Sequence, residues 1–245
     1  FKEAAEILQK RILERAYLQK DALLLLGDVY LAWAEEEPKY YEEARRAYAA
    51  LIERYGSEDA YLERMLLYFV RTDKLEEVLP LKDGFMSAKK LFPSADTLAE
   101  LGGYLLDKGK VDEVRRVLIA AQAKDPSVPE AHYHLARYFE KAGAPAEERK
   151  ALDKAVAAFA RVPVLSARRL GLYVDALVRR GNFRLDAREY LAAEEDFTVA
   201  ADLYGKALEL RRLKRSPSYA AAYAGLAEVA YWMRDDLPAA LDLLA

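Results

Sequence analysis

Residues 95–128 read ADTLAELGGYLLDKGKVDEVRRVLIAAQAKDPSV. Leu98, Leu101, Gly102 and Leu105 recur there at steps of 3, 1 and 3, a spacing that puts them on one face of a helix. Gly109 closes that helix. Val111 and Val114 open a second one, lined by Leu118 and Ala121 and finished by Pro126. The stretch predicts a helix–turn–helix hairpin, each helix burying one apolar stripe against the other.

The same spacing returns on both sides. At 129–162, His132, Leu135, Ala136 and Phe139 fill the first stripe, Gly143 is the stop, and Leu152, Ala155 and Phe159 fill the second. Ser127 and Glu130 have the S-x-x-E order of a capping box at its start. Upstream, Leu23, Leu26, Gly27 and Tyr30 match, with Tyr41, Ala44, Tyr48 and Leu51 opposite and Glu35, Glu36, Glu37 and Pro38 in a longer turn. Leu62, Met65, Leu66 and Phe69 begin another hairpin after Gly56 and Ser57, and a break is predicted in its second helix near Pro80, Asp83 and Gly84. Phe1–Leu18 reads as a second helix of a preceding hairpin. Downstream, Leu177, Arg180, Gly181, Arg184, Tyr190, Ala193, Phe197 and Ala200 repeat the order on longer helices, roughly Val164–Arg188 and Tyr190–Arg212. Ser216 and Pro217 give a cap and first turn for a last hairpin carrying Ala227, Tyr231, Leu237 and Ala240, or Leu226 with one residue inserted.

This order resembles the 34-residue pattern W-x2-L-G-x2-Y…A-x3-F…P of the tetratricopeptide repeat family. The resemblance covers nearly the whole chain in about six units, roughly 20–58, 59–94, 95–128, 129–162, 163–212 and 216–245, with 1–19 left over from a preceding unit. It implies one all-α domain over 1–245, an α-solenoid with a right-handed superhelix. Small residues at Gly27, Gly102, Ala136 and Gly181 would let the two helices of a unit approach closely.

Composition agrees with helices. The 11 glycines and 9 prolines in 245 residues leave little room for long loops, and alanine, leucine, arginine and glutamate all favour helix. The absence of cysteine (0 in the chain) excludes disulfides, zinc–thiolate sites and cysteine nucleophiles. It also fits a bacterial envelope or motility-machine scaffold, with the periplasm favoured over the cytoplasm. No apolar run reaches the ~18 residues needed to span a bilayer; the best, Ala22–Ala34, is broken by Asp28. Neither Phe1 nor Leu241–Ala245 reads as a polar cap of the kind solenoids need, which points to a segment of a longer protein.

Motifs for chemistry are missing. His132 and His134 are the only histidines, and at two residues apart on a helix they face different sides. His132 sits where the family often carries tryptophan, a packing position. No H-E-x-x-H, P-loop, dinucleotide or G-x-S-x-G motif occurs, so no enzyme, cofactor or metal is expected. The carboxylate clamp of tetratricopeptide co-chaperones needs paired asparagines; Asn182 is the one asparagine here, and Asp28, Leu67, Gly103 and Arg137 fill the matching positions.

The resemblance implies a non-enzymatic protein–protein interaction scaffold. First helices would line a concave groove that holds a peptide or helix of a partner. Residues expected on that side are Asp28, Leu31, Glu63, Arg71, Tyr133, Arg137, Asn182 and Asp186, with Trp232 near the end; Tyr133 and Arg137 form the leading anchor pair. Residues 161–188 carry seven arginines against two aspartates, and Arg211, Arg212, Lys214 and Arg215 add four more positive charges. Arg169, Arg180, Arg184 and Arg188 share one stripe, which would either dock an acidic partner segment or pair with Glu194, Glu195 and Asp196 on the next helix. Self-assembly through exposed apolar helix faces is the alternative. Nucleic-acid binding ranks lower: the pI is near 5.7, and aromatic residues are not interleaved with the arginines as a stacking platform needs.

Overall fold

The computed structural model describes residues 1–14, 19–87, 93–209 and 217–244. Among them every regular element is a helix: α1 (Lys2–Glu14), α2 (Gln19–Trp33), α3 (Tyr40–Tyr55), α4 (Asp59–Arg71), α5 (Leu75–Ser87), α6 (Ala95–Asp107), α7 (Val111–Lys124), α8 (Pro129–Lys141), α9 (Pro145–Phe159), α10 (Ala167–Asp186), α11 (Tyr190–Glu209), α12 (Pro217–Arg234) and α13 (Leu237–Leu244). The chain forms two compact units, Phe1–Tyr104 and Leu105–Ala245.

One turn chemistry recurs. Asp73, Gly109, Gly143, Arg188 and Asp235 have φ between 51° and 72°, and each lies just after the first helix of a hairpin and two residues before the second. At the first four, the following amide donates five residues back, as in Lys110 to Leu105 (2.9 Å) and Glu189 to Arg184 (2.8 Å). That is the Schellman closure, which satisfies the last carbonyls of a helix. Only Gly109 and Gly143 are the residue type that takes this conformation without strain, and they are the two stops the sequence reveals.

In the first unit, Leu23, Leu26 and Tyr30 of α2 bury against Ala44, Tyr48 and Leu51 of α3, with Tyr61 and Tyr68 of α4 completing the core. Gly27 permits the approach: a Cβ there would run into the Tyr48 ring. α5 continues through Pro80 without the predicted break. Proline removes one rung of the hydrogen-bond ladder, and the turns on either side still hold, with Val78 fully buried.

In the second unit, Phe197 of α11 lies between two glycines. A Cβ on Gly181 of α10 would sit 2.6 Å from its ring, and one on Gly225 of α12 would also collide with it. Gly225 is therefore the residue that lets α12 approach α11 of the preceding hairpin closely. The expected slot residue Tyr231 is instead 43% exposed, while Ala227 and Ala240 are buried as expected.

Helix starts differ from the sequence signals in two places. α8 begins after Val128 with Pro129 and no side-chain cap. Ser127 donates to Asp125 (2.6 Å) and Glu130 binds Arg169, so the capping box does not form. α4 starts after Glu58 rather than Ser57. α10 is capped by Ser166, whose hydroxyl accepts from the Arg169 amide at 3.3 Å. Residues 15–18, Ser216 and the basic run at Arg211, Arg212, Lys214 and Arg215 lie outside the described residues.

Candidate binding face

First helices in each unit are joined edge to edge by side chains. In the first unit, Asp28 on α2 accepts from Tyr48 Oη (2.8 Å) and from Arg64 Nε of α4 (2.9 Å). Arg71 at the end of α4 pairs with Glu100 of α6 at 2.8 and 3.2 Å and with Glu35 at 3.3 Å. Glu63 is 1% exposed, and its carboxylate accepts from the Ser94 amide at 2.7 Å, just ahead of α6. An anion there satisfies a free amide at a helix N-terminus. Glu63 and Arg71, candidates for partner contact, are placed as internal links between helices.

In the second unit Asp175 on α10 is the hub. Its Oδ2 accepts from Tyr133 Oη of α8 (2.7 Å) and from Arg179 Nε (2.7 Å), and its Oδ1 from Ser218 Oγ of α12 (3.1 Å). Arg179 continues to Glu140 of α8 at 2.7 Å. Tyr133 is buried, and that burial, with the Asp175 charge beside it, holds its phenol above the ordinary value. It therefore stays a neutral donor. Arg137 reaches Asp107 at 2.6 Å and lies 6.0 Å from the Tyr133 ring centroid. The pair stands together as the sequence suggests, with Tyr133 inside and Arg137 half-buried at the surface.

The arginine stripe divides. Arg180 binds Asp196 of α11 at 2.5 and 3.0 Å, and Arg184 reaches the same carboxylate at 2.9 Å. Asp196 is 2% exposed, so two cations converge on one buried anion between α10 and α11. Arg169 binds Glu130. Arg188 is exposed at the left-handed closure of α10. Asn182 and Asp186 are exposed, and Trp232 is exposed beside the Tyr231 ring.

Asp175, Arg179, Asn182 and Asp186 fall 4, 3 and 4 residues apart on α10, one continuous stripe. Asp175 and Arg179 anchor it and are not among the residues expected on that side from the sequence. Their i,i+4 pairing was a visible signal; the approach of Tyr133 and Ser218 from other helices was not.

His132 is buried as expected. Its Nε2 donates to the Pro126 carbonyl (2.8 Å) and its Nδ1 accepts from Gln122 (2.7 Å). Among the described residues no group of three or more His, Asp or Glu could hold a metal ion, and no helix is long and apolar enough to cross a membrane.

Packed helical hairpins, five of them closed by a left-handed turn among the described residues, define a helical-repeat protein. Residues 100–163 match the tetratricopeptide repeat family model. Its fold is similar to that in a structure described as the functional characterization of Pseudomonas aeruginosa pilF, with 15% identity and a TM-score of 0.66 over 91% of this chain and 88% of that one. It is also similar to YrrB, described as a TPR protein with an unusual peptide-binding site, at 19% identity and a TM-score of 0.46 over 85% of this chain and 100% of that one. No curated protein sequence matches the chain. The tetratricopeptide fold generally mediates protein–protein interaction and is typically a non-enzymatic scaffold.

Proposed function

We propose that this chain is a scaffold that holds an extended peptide or a helix of a protein partner against the first helices of its second unit, as part of a larger assembly. The observation that carries the reading is the α10 stripe. Its N-terminal half, Asp175 and Arg179, is tied to α8 and α12; its C-terminal half, Asn182 and Asp186, is exposed. Side chains that lock a row of helices in place leave less freedom to lose when a ligand is bound. Asn182, Asp186, Arg137, Arg188 and Trp232 are the proposed contact residues. Tyr133, Arg180 and Arg184 act as positioning residues within the same unit, and Glu63 and Arg71 as links between helices of the first unit.

The test is selection of peptides from a displayed library on the parent chain, followed by affinity measurement on N182R/D186R. Both positions are exposed, so the melting temperature should be unchanged while the dominant peptides bind at least tenfold more weakly. Peptides that bind both forms equally would contradict the proposal.

Self-association is a second reading with its own observation. Leu237, Leu241 and Leu244 are 53–62% exposed on one face of α13. Light scattering across a hundredfold concentration range decides it: a constant monomer mass removes this reading, and a dimer abolished by Leu241→Glu supports it.

A further inference from the structure

A cavity of about 490 Å³ lies at the edge of the second unit, between the turn at Pro126–Ser127 and the C-terminal half of α9. Its floor is apolar, from Ala157, Ala158, Val162 and Pro163, and its cations are Lys154 and Arg161. Both are exposed. No carboxylate lines the cavity, in contrast to Arg179, Arg180 and Arg184, whose charges are met by Asp or Glu. The His132 ring is part of the wall, and both its nitrogens are engaged by Gln122 and the Pro126 carbonyl. It fixes the turn rather than offering a ligand atom.

We infer that this cavity is a second docking site, separate from the first-helix row, for an acidic peptide segment of the form acidic–x–apolar–x–acidic. The charge complementarity is direct: Lys154 and Arg161, neither of them held in an ion pair among the described residues, flank an apolar floor, and the nearby Asp125 carboxylate is turned to the Ser127 amide and hydroxyl. The spacing of the two cations argues for a peptide over a single anion. Lys154 lies on α9 and Arg161 two residues beyond its end at Phe159; the helical rise from Lys154 to Phe159 alone is about 7.5 Å, with Ala157 and Ala158 between the two cations, so one phosphate midway would rest on methyl groups. An extended chain places residues i, i+2 and i+4 on one face over about 13 Å. Two carboxylates can then meet Lys154 and Arg161 while the middle side chain enters the cavity.

Fluorescence polarisation at low salt tests this with labelled, end-blocked peptides: Glu-Ser-Leu-Ser-Glu, its Gln-Ser-Leu-Ser-Gln counterpart and Glu-Ser-Ser-Ser-Glu. The parent is expected to bind the first saturably and each of the others at least fivefold more weakly. K154E/R161E should lose at least tenfold, and K154Q/R161Q should lose affinity without reversed charge. N182R/D186R should bind as the parent does, which separates this site from the proposed groove. No saturable binding, equal binding of the glutamine peptide, unchanged binding by both cavity variants, or pyrophosphate bound in a way the peptide cannot displace would each overturn the inference.

Discussion

The Tyr133 phenol on α8 donates to the Asp175 carboxylate on α10 at 2.7 Å, across 42 residues of sequence. It ties the first helices of successive hairpins through a buried hydroxyl. With Arg179 and Ser218 on the same carboxylate, it fixes the row on which the proposed groove rests.

Asp175→Ala leaves the Tyr133 hydroxyl buried without its acceptor. A loss of about 1–3 kcal/mol is expected. A double-mutant cycle with Tyr133→Phe in urea should show a coupling of about 1 kcal/mol or more; additive single effects would show that the bond contributes nothing.

Gly181→Ala and Gly225→Ala each place a methyl group against the Phe197 ring. Overpacking of this kind costs about 1–3 kcal/mol, read as a lower urea midpoint. Because the ring is gripped from both sides, Phe197→Leu should rescue part of the loss in either variant. Unchanged midpoints would show that the ring has room to move.

Asp196→Ala removes the carboxylate that Arg180 and Arg184 share at a largely buried position, leaving Arg180 with Asp153 at 3.7 Å and Arg184 with the Ala192 carbonyl at 3.1 Å. Removing one partner of a buried ion pair costs about 3–5 kcal/mol. Replacing all three residues with apolar side chains of similar volume should recover most of it. A single variant as stable as the parent would mean that solvent already screens the arginines.

Burial raises the Glu148 carboxyl above the ordinary range, with Glu140 adding to the shift and Arg179 opposing it. The folded protein then holds this proton more tightly than the unfolded chain does. Ionisation therefore disfavours the fold, and the penalty grows as pH rises from the ordinary carboxylate value through the raised one. Glu148→Gln should melt higher than the parent at pH 7, and the advantage should vanish at pH 4. An advantage that is equal at both pH values would contradict the assignment.

Much of the fold was legible because it depends on short-range periodicity. Leu98, Leu101 and Leu105 announce their helix by spacing alone, and Gly109 and Gly143 announce the stops of two first helices. The equivalent stops at Asp73, Arg188 and Asp235 were hidden, since nothing in those residue types favours a positive φ as glycine does. Ser127–Glu130 shows the opposite failure: the capping signal was present, yet Asp125 and Arg169 took both side chains. The candidate face was legible by position only. Sequence spacing put Tyr133, Arg137 and Glu63 on first helices, but it could not show that Glu63 and Tyr133 turn inward to neighbouring helices. That outcome depends on partners 31 to 42 residues away. Gly225 went unnoticed because its partner, Phe197, belongs to the preceding hairpin.

The most direct test of the scaffold is the dissociation constant of a peptide selected on the parent chain, measured for the parent and for N182R/D186R at matched melting temperature. The account predicts an affinity at least tenfold weaker for the variant, with folding intact. Equal affinity, or no selectable peptide on the parent, would contradict the claim that the α8–α10–α12 row is a docking face.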